Sequence, residues 1–233
     1  MSQALHREGA ELAFTWVNEA IEKRLRPLAE SINCPNVLPC DVQSDEQLNH
    51  LFAELESRWG SIDGIIHSVA YAEREDLQCR FAQTSRKGFQ LALDVSAYSL
   101  IAVAGRAQAL MKERGGAIVT LSYLGAERVV SNYNVMGVAK AALESSVRYL
   151  AADLGEFNIR VNALSAGPIK TLAASGIPHF KELLAQFAAK APLRRNVTLE
   201  DVAQTGLYLV GPMSSGVTGE TIYVDCGFNI MGL

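Results

Sequence analysis

Two residue types that can handle a proton together stand seven positions apart: Tyr133 and Lys140, in Asn132-Tyr133-Asn134-Val135-Met136-Gly137-Val138-Ala139-Lys140. Seven residues are two turns, so on a helix that starts near Asn132 both side chains share one face. A Lys ammonium close to a phenol favours the phenolate and lowers the Tyr pKa from its usual value of about 10. A Tyr tuned in this way donates a proton at neutral pH, and the same ammonium can hydrogen-bond a ribose hydroxyl. A Tyr and a Lys at this spacing are usually unrelated when they occur alone. The placement changes the odds, because Ser122-Tyr123-Leu124-Gly125 closes the apolar run just before the pair and turns Tyr123 toward the same cleft.

The elements that must position these residues alternate along the chain. Short strands are expected at 10–15, 36–41, 62–68, 117–122, 159–164 and 219–225, with Pro39 arguing for an edge position in the second. Helices are expected at 18–32, at 45–59 with Ser44 as N-cap, through a long region ending near Lys112, and at 132–154. Strands that read as continuous apolar runs are buried on both faces. Their alternation with helices predicts an α/β fold, a Rossmann-like doubly wound parallel sheet in a single domain over residues 1–233. Such sheets bind ligands beyond the carboxyl ends of their strands. The residues found there are Thr15 to Val17, Asp41 and Val42, Ser68 to Ala70, Ser122 and Tyr123, and Ala166 to Pro168.

Composition narrows the class. The chain has 233 residues, 49% of them apolar, enough for a sizeable core. With 20% charged residues and a net charge of −4, no basic excess points to nucleic acid or an anionic membrane. No unbroken apolar run reaches the length of a membrane span, and the first residues do not read as a signal peptide. Cys34, Cys40, Cys79 and Cys226 lack metal-ligand spacing, so no metal site is expected and reduced thiols in a cytoplasmic protein are the plain reading.

The combined motifs resemble one family. The active-site run 121–128 followed by 132–140, the stretch Ser165-Ala166-Gly167-Pro168-Ile169-Lys170-Thr171-Leu172-Ala173, and His67-Ser68-Val69-Ala70-Tyr71-Ala72 are similar to bacterial enoyl-acyl-carrier-protein reductases, a divergent branch of the short-chain dehydrogenase/reductases. Cys40-Asp41-Val42 and the closing Val224-Asp225-Cys226-Gly227-Phe228 match as well, so the likeness covers essentially the whole chain. The resemblance implies NADH-dependent reduction of a trans-2-enoyl thioester carried on acyl-carrier protein, in fatty acid elongation. It implies that Tyr133 acts at the thioester oxygen, that Lys140 holds the nicotinamide ribose, and that Tyr123 lies near substrate. It places Val17, Asp41 and Val42 at the adenosine, Ser68 and Val69 against the cofactor, and Ile169, Lys170, Thr171, Leu172 and Ala173 over the nicotinamide and pyrophosphate. Ala72 would contact substrate through its backbone, and a homotetramer is the implied assembly. Asp41 has a plainer alternative as a turn cap, and His67 reads as a satisfied core histidine.

NADH is preferred to NADPH because Thr15-Trp16-Val17-Asn18-Glu19 offers no Arg or Lys to a 2′-phosphate. An apolar face of Leu172, Ile177, Phe180, Leu183, Leu184 and Phe187 either lines an acyl pocket or packs on the core.

Two departures matter. Carbonyl-reducing relatives have Lys four after the Tyr and Ser thirteen before it; here those places hold Gly137 and Thr120, which disfavours ketone chemistry. The chain also contains no Gly-rich dinucleotide loop, and Met1 falls within what reads as the helix after one. The expectation is a sequence shortened by its first strand, with weak NADH binding, and a non-catalytic chain of the same fold is the third reading.

Overall fold

All strand pairing in the computed structural model, which describes residues 1–169 and 180–232, is parallel. Strands β1 (Ala13–Trp16) and β2 (Asn36–Pro39) form one ladder. Strands β3 (Gly64–His67), β4 (Gly116–Ser122), β5 (Ile159–Ala166) and β6 (Thr221–Val224) form a second, in that order. Among the described residues no strand pairing joins the two ladders. Ala13, Leu38 and Ile65 nevertheless pack on one apolar cluster, which keeps both ladders over a common core.

The flanking helices are α1 (Ser2–Arg7), α2 (Glu19–Glu30), α3 (Asp45–Trp59), α4 (Arg74–Gln78) and α5 (Arg86–Leu93). They continue with α6 (Ser99–Met111), α7 (Val135–Leu154), α8 (Phe180–Lys190) and α9 (Leu199–Val210). The two faces of the sheet are covered separately. Ile118, Val161 and Ala163 point into a cluster with Leu48 of α3, Leu100 of α6 and Leu143 of α7. Their neighbours Val119 and Leu164 point the other way, onto Val202 and Leu209 of α9. Alternation of side chains along a strand makes this division, and a doubly wound sheet is the result.

The helix boundaries follow local chemistry. Asn18 and Ser44 cap α2 and α3 by accepting from the N–H groups of Ile21 and Gln47, and Thr198 with Asp201 forms a capping box on α9. The long helical region ending near Lys112 is interrupted: a π-helical turn, Asp94–Tyr98, separates α5 from α6. By length and hydropathy the stretch Arg86–Met111 passes as a membrane span, but more than half of it is buried, and Ala104, Ala107 and Met111 lie in the core.

One expected boundary needs correction. The helix placed at 132–154 begins only at Val135, because Asn134 takes φ 39° and ψ −118°, outside helical geometry. Tyr133 therefore sits in the turn before α7. Its backbone, contrary to expectation, does not lie on the helical face of Lys140.

Candidate active site

The structure collects Tyr123, Tyr133 and Lys140 where β4 passes into α7. Tyr123 follows the last residue of β4, and its ring meets Tyr133 edge-on, with centroids 5.0 Å apart and planes at 69°. That arrangement suits two aromatic quadrupoles and contributes about 0.5–1.5 kcal/mol beyond burial. Two glycines make room for it. A Cβ on Gly125 would come within 2.7 Å of Tyr133 Cε1, and one on Gly137 within 2.8 Å of the Gly125 carbonyl oxygen. The turn that carries Tyr133 is held from outside. Asn134 Nδ2 donates to the carbonyl oxygens of Leu77 (3.1 Å) and Cys79 (2.8 Å) at the end of α4, instead of capping its own helix.

Lys140 is buried, at 6% exposure, and its Nζ donates to the Leu121 carbonyl at 2.7 Å. One turn further along α7, the equally buried Glu144 accepts a short hydrogen bond from Ser122 Oγ. An ammonium has three donors, so Lys140 keeps capacity for a ligand hydroxyl.

The electrostatics correct the phenolate expectation. Burial, with smaller contributions from Tyr123 and Glu144, pushes the Tyr133 hydroxyl above the usual phenol range. Burial pushes Tyr123 up to about 12. Lys140 is lowered to about 8 by burial, opposed by the Glu144 charge. The desolvation that weakens the ammonium also disfavours the phenolate, so desolvation outweighs any help from Lys140. Both tyrosines are neutral hydroxyl donors at neutral pH.

The positions that would mark a carbonyl reductase are engaged elsewhere. Thr120 is fully buried, with its hydroxyl 2.8 Å from His67 Nδ1. Gly137 lies against the Gly125 carbonyl and has no space for a longer side chain without a backbone shift. His67 is the satisfied core histidine expected: Ser99 Oγ takes its other ring nitrogen at 2.8 Å, and burial followed by the Lys140 charge lowers it to about 3.

The remaining sequence candidates line the carboxyl ends of the strands. Val17, just past β1, is 52% exposed. Asp41 and Val42 follow β2; Asp41 Oδ1 accepts from the Gln43 N–H at 3.0 Å, which makes it the turn cap of the plainer alternative as well. Ser68 is exposed and Val69 half-buried just past β3. Ala72 follows Tyr71, whose N–H and carbonyl both bond Ser96 Oγ of the π-helical turn, at 3.0 and 3.1 Å. Ile169 is half-buried and packs on the Val119 side of the sheet. Lys170, Thr171, Leu172, Ala173 and Ile177 lie outside the described residues, as does the side chain of Phe180. Phe187 is buried in a stack on Phe228, centroids 3.7 Å apart, so this part of the apolar face packs on the core. Sequence reasoning named Ser122 only as a strand-end residue and missed the parts played by Asn134 and Glu144. Only the four-residue step from Lys140 to Glu144 could have drawn attention to the last.

Comparison with known proteins identifies the family. The family model described as Enoyl-(Acyl carrier protein) reductase matches residues 1–229. The chain is 53% identical over 232 residues to the enoyl-[acyl-carrier-protein] reductase [NADH] FabI of Rickettsia bellii, covering 100% of this chain and 88% of that protein. It is 50% identical to the Bacillus cereus FabI, covering 100% of this chain and 91% of that one. Among solved structures, the Anaplasma phagocytophilum reductase in complex with NAD superposes with a TM-score of 0.95 at 47% identity, covering 100% of this chain and 88% of that one. The Bacillus cereus enzyme with NADP+ and indole naphthyridinone gives 0.96 at 51% identity, covering 100% and 91%.

Proposed function

Because the chain belongs to the enoyl-(acyl carrier protein) reductase family, we propose that it reduces trans-2-enoyl thioesters on acyl-carrier protein with NADH, the reductive step of fatty acid elongation. The observation that carries this reading is the pair of neutral tyrosyl hydroxyls, Tyr123 and Tyr133, packed edge-on, with the buried Lys140 bonded to Leu121 two residues before Tyr123.

The residues at the strand ends suit the nicotinamide half of the cofactor better than the rest. Lys140 has donors to spare for ribose hydroxyls, and Ser68, Val69 and Ile169 sit at the ends of the strands that frame it. Toward the adenosine side Val17, Asp41 and Val42 are the candidate contacts, near the buried and unpartnered Trp16 Nε1. Lys170, Thr171, Leu172 and Ala173 are proposed to complete the cover. When bound, NADH supplies the hydride. The chain's own work is to stabilise the negative charge that develops on the thioester oxygen, and a hydroxyl too weakly acidic to ionise does this by donating a hydrogen bond. Tyr133 has that role, Tyr123 orients the acyl group beside it, and Ala72 offers its backbone to substrate. Lys140 holds the ribose and stays fixed to Leu121.

We further assign the whole chain to one domain, supported by the packing of both apolar clusters on β4 and β5. A cytoplasmic setting is proposed on the four free thiols. A homotetramer is proposed on the outer faces of α6 and α7, where exposed Ile101 and Tyr149 line a depression of about 580 Å³. Reduction of crotonyl thioester with NADH deuterated at the transferable position tests the chemistry. Deuterium on the β-carbon of the product is expected; no transfer to crotonyl thioester, with deuterium on the carbinol carbon when acetoacetyl thioester is offered instead, would replace this with the carbonyl reading.

A further inference from the structure

Glu144 on α7 is a buried titratable group with no part in the chemistry proposed for this site. Glu144 is 6% exposed, as are Lys140 and Ser122. A carboxylate withdrawn from water is destabilised unless it is paired or hydrogen-bonded. Its partners are specific. Ser122 Oγ donates to its Oε1, while Lys140, one turn earlier on α7, donates to the carbonyl oxygen of Leu121. Two consecutive residues at the end of β4 are thus tied to two residues one helical turn apart, and Tyr123 is the next residue after this double tie.

We propose that Glu144 is a positioning residue of this site: with Lys140 it fastens the end of β4, and therefore Tyr123, onto α7, and its carboxylate stands as the counter-charge one helical turn from the Lys140 ammonium. The inference rests on the reading that Tyr123, Tyr133 and Lys140 are the active residues. Other charges and titratable groups bear on the pair. Arg148 stands one turn further along α7, Glu127 comes from the β4–α7 connection, Tyr223 faces Glu144 from β6, and His67 faces Lys140 from β3. Burial holds His67 neutral, so it contributes no positive charge to the pair at neutral pH. Burial lowers Lys140, and the Glu144 charge opposes that lowering. Without the carboxylate the ammonium would lose its proton at lower pH still.

The direct test is a ¹³C NMR titration of the Lys140 side chain in the full protein labelled at lysine, the resonance being identified by its loss in K140R. Glu144→Gln keeps an oxygen for Ser122 but removes the charge. It is expected to move the Lys140 midpoint down by on the order of one pH unit. An unmoved midpoint overturns the inference, and this readout needs no turnover. Kinetics with NADH and crotonyl thioester give the second arm. E144Q should shift the alkaline limb of kcat/KM to lower pH, and E144L should lower kcat roughly tenfold with a smaller change in KM, as expected for a misplaced catalytic group. If E144L does not fold, the E144Q titration decides alone. A wild-type protein without crotonyl turnover would sink the proposed function, while the titration would still uphold or overturn the Glu144 inference.

Discussion

The two ladders of the sheet differ in depth, and that difference separates chemistry from binding. The four-stranded ladder has seven register pairs between β4 and β5 alone, and Ala117 to Thr120 are fully buried. From its end come Ser122 and Tyr123, tied to α7 through Lys140 and Glu144. The β1–β2 ladder has four pairs and no fully buried strand residue, and at its end stand the exposed Val17 and an Asp41 that caps its own turn. Catalysis needs groups held close to their working geometry, and the deep ladder supplies that rigidity. The shallow ladder can contribute affinity without setting a reaction coordinate.

The strongest attempt to break this comparison is Tyr133→Phe. Removing a hydrogen-bond donor aimed at developing charge should lower kcat on the order of 10²- to 10³-fold, with thermal stability close to wild type. A loss confined to KM would move the chemistry away from the deep ladder.

Gly125→Ala and Gly137→Ala come next. Each added methyl meets Tyr133 or the Gly125 carbonyl at less than contact distance, and overpacking of this kind costs roughly 1–3 kcal/mol. Denaturant unfolding should show that loss together with reduced kcat. Full stability and activity in both variants would mean the Tyr123–Tyr133 contact is looser than its 5.0 Å centroid separation indicates.

How far the sequence foretold this division can be traced residue by residue. The apolar runs that became β3 and β4 were legible because burial on both faces leaves little polar alternation, and the Ser44 cap was legible from residue type alone. The start of α7 was not, because Asn134 gives its amide to carbonyls at the end of α4, a contact some 55 residues away in sequence. The phenolate expectation failed for a related reason. Spacing could place an ammonium near Tyr133, but burial decides the proton, and burial belongs to the packed fold. Glu144 was passed over because a Glu four residues beyond a Lys reads as an exposed helix pair until both are found buried.

The pH profile tests the same half of the molecule. Lys140 acts as an ammonium, and its folded pKa is about 8. Its proton is present below that pH and lost above it, so kcat/KM should be level on the acid side and decline as pH rises through about 8. A profile flat to well above that point would remove Lys140's charge from the account.

The smallest effect is expected on the shallow ladder. Asp41→Ala should raise KM for NADH roughly three- to tenfold, the scale of one lost hydrogen bond, and leave kcat unchanged. A fall in kcat of the Tyr133→Phe size would erase the comparison.

The central claim is that Tyr123, Tyr133 and Lys140 serve enoyl rather than carbonyl reduction. NADH oxidation measured in parallel with crotonyl thioester and acetoacetyl thioester tests it most directly. Turnover of the crotonyl substrate, abolished by Tyr133→Phe, and none of the acetoacetyl substrate is the expected result. Turnover of acetoacetyl thioester alone would contradict it.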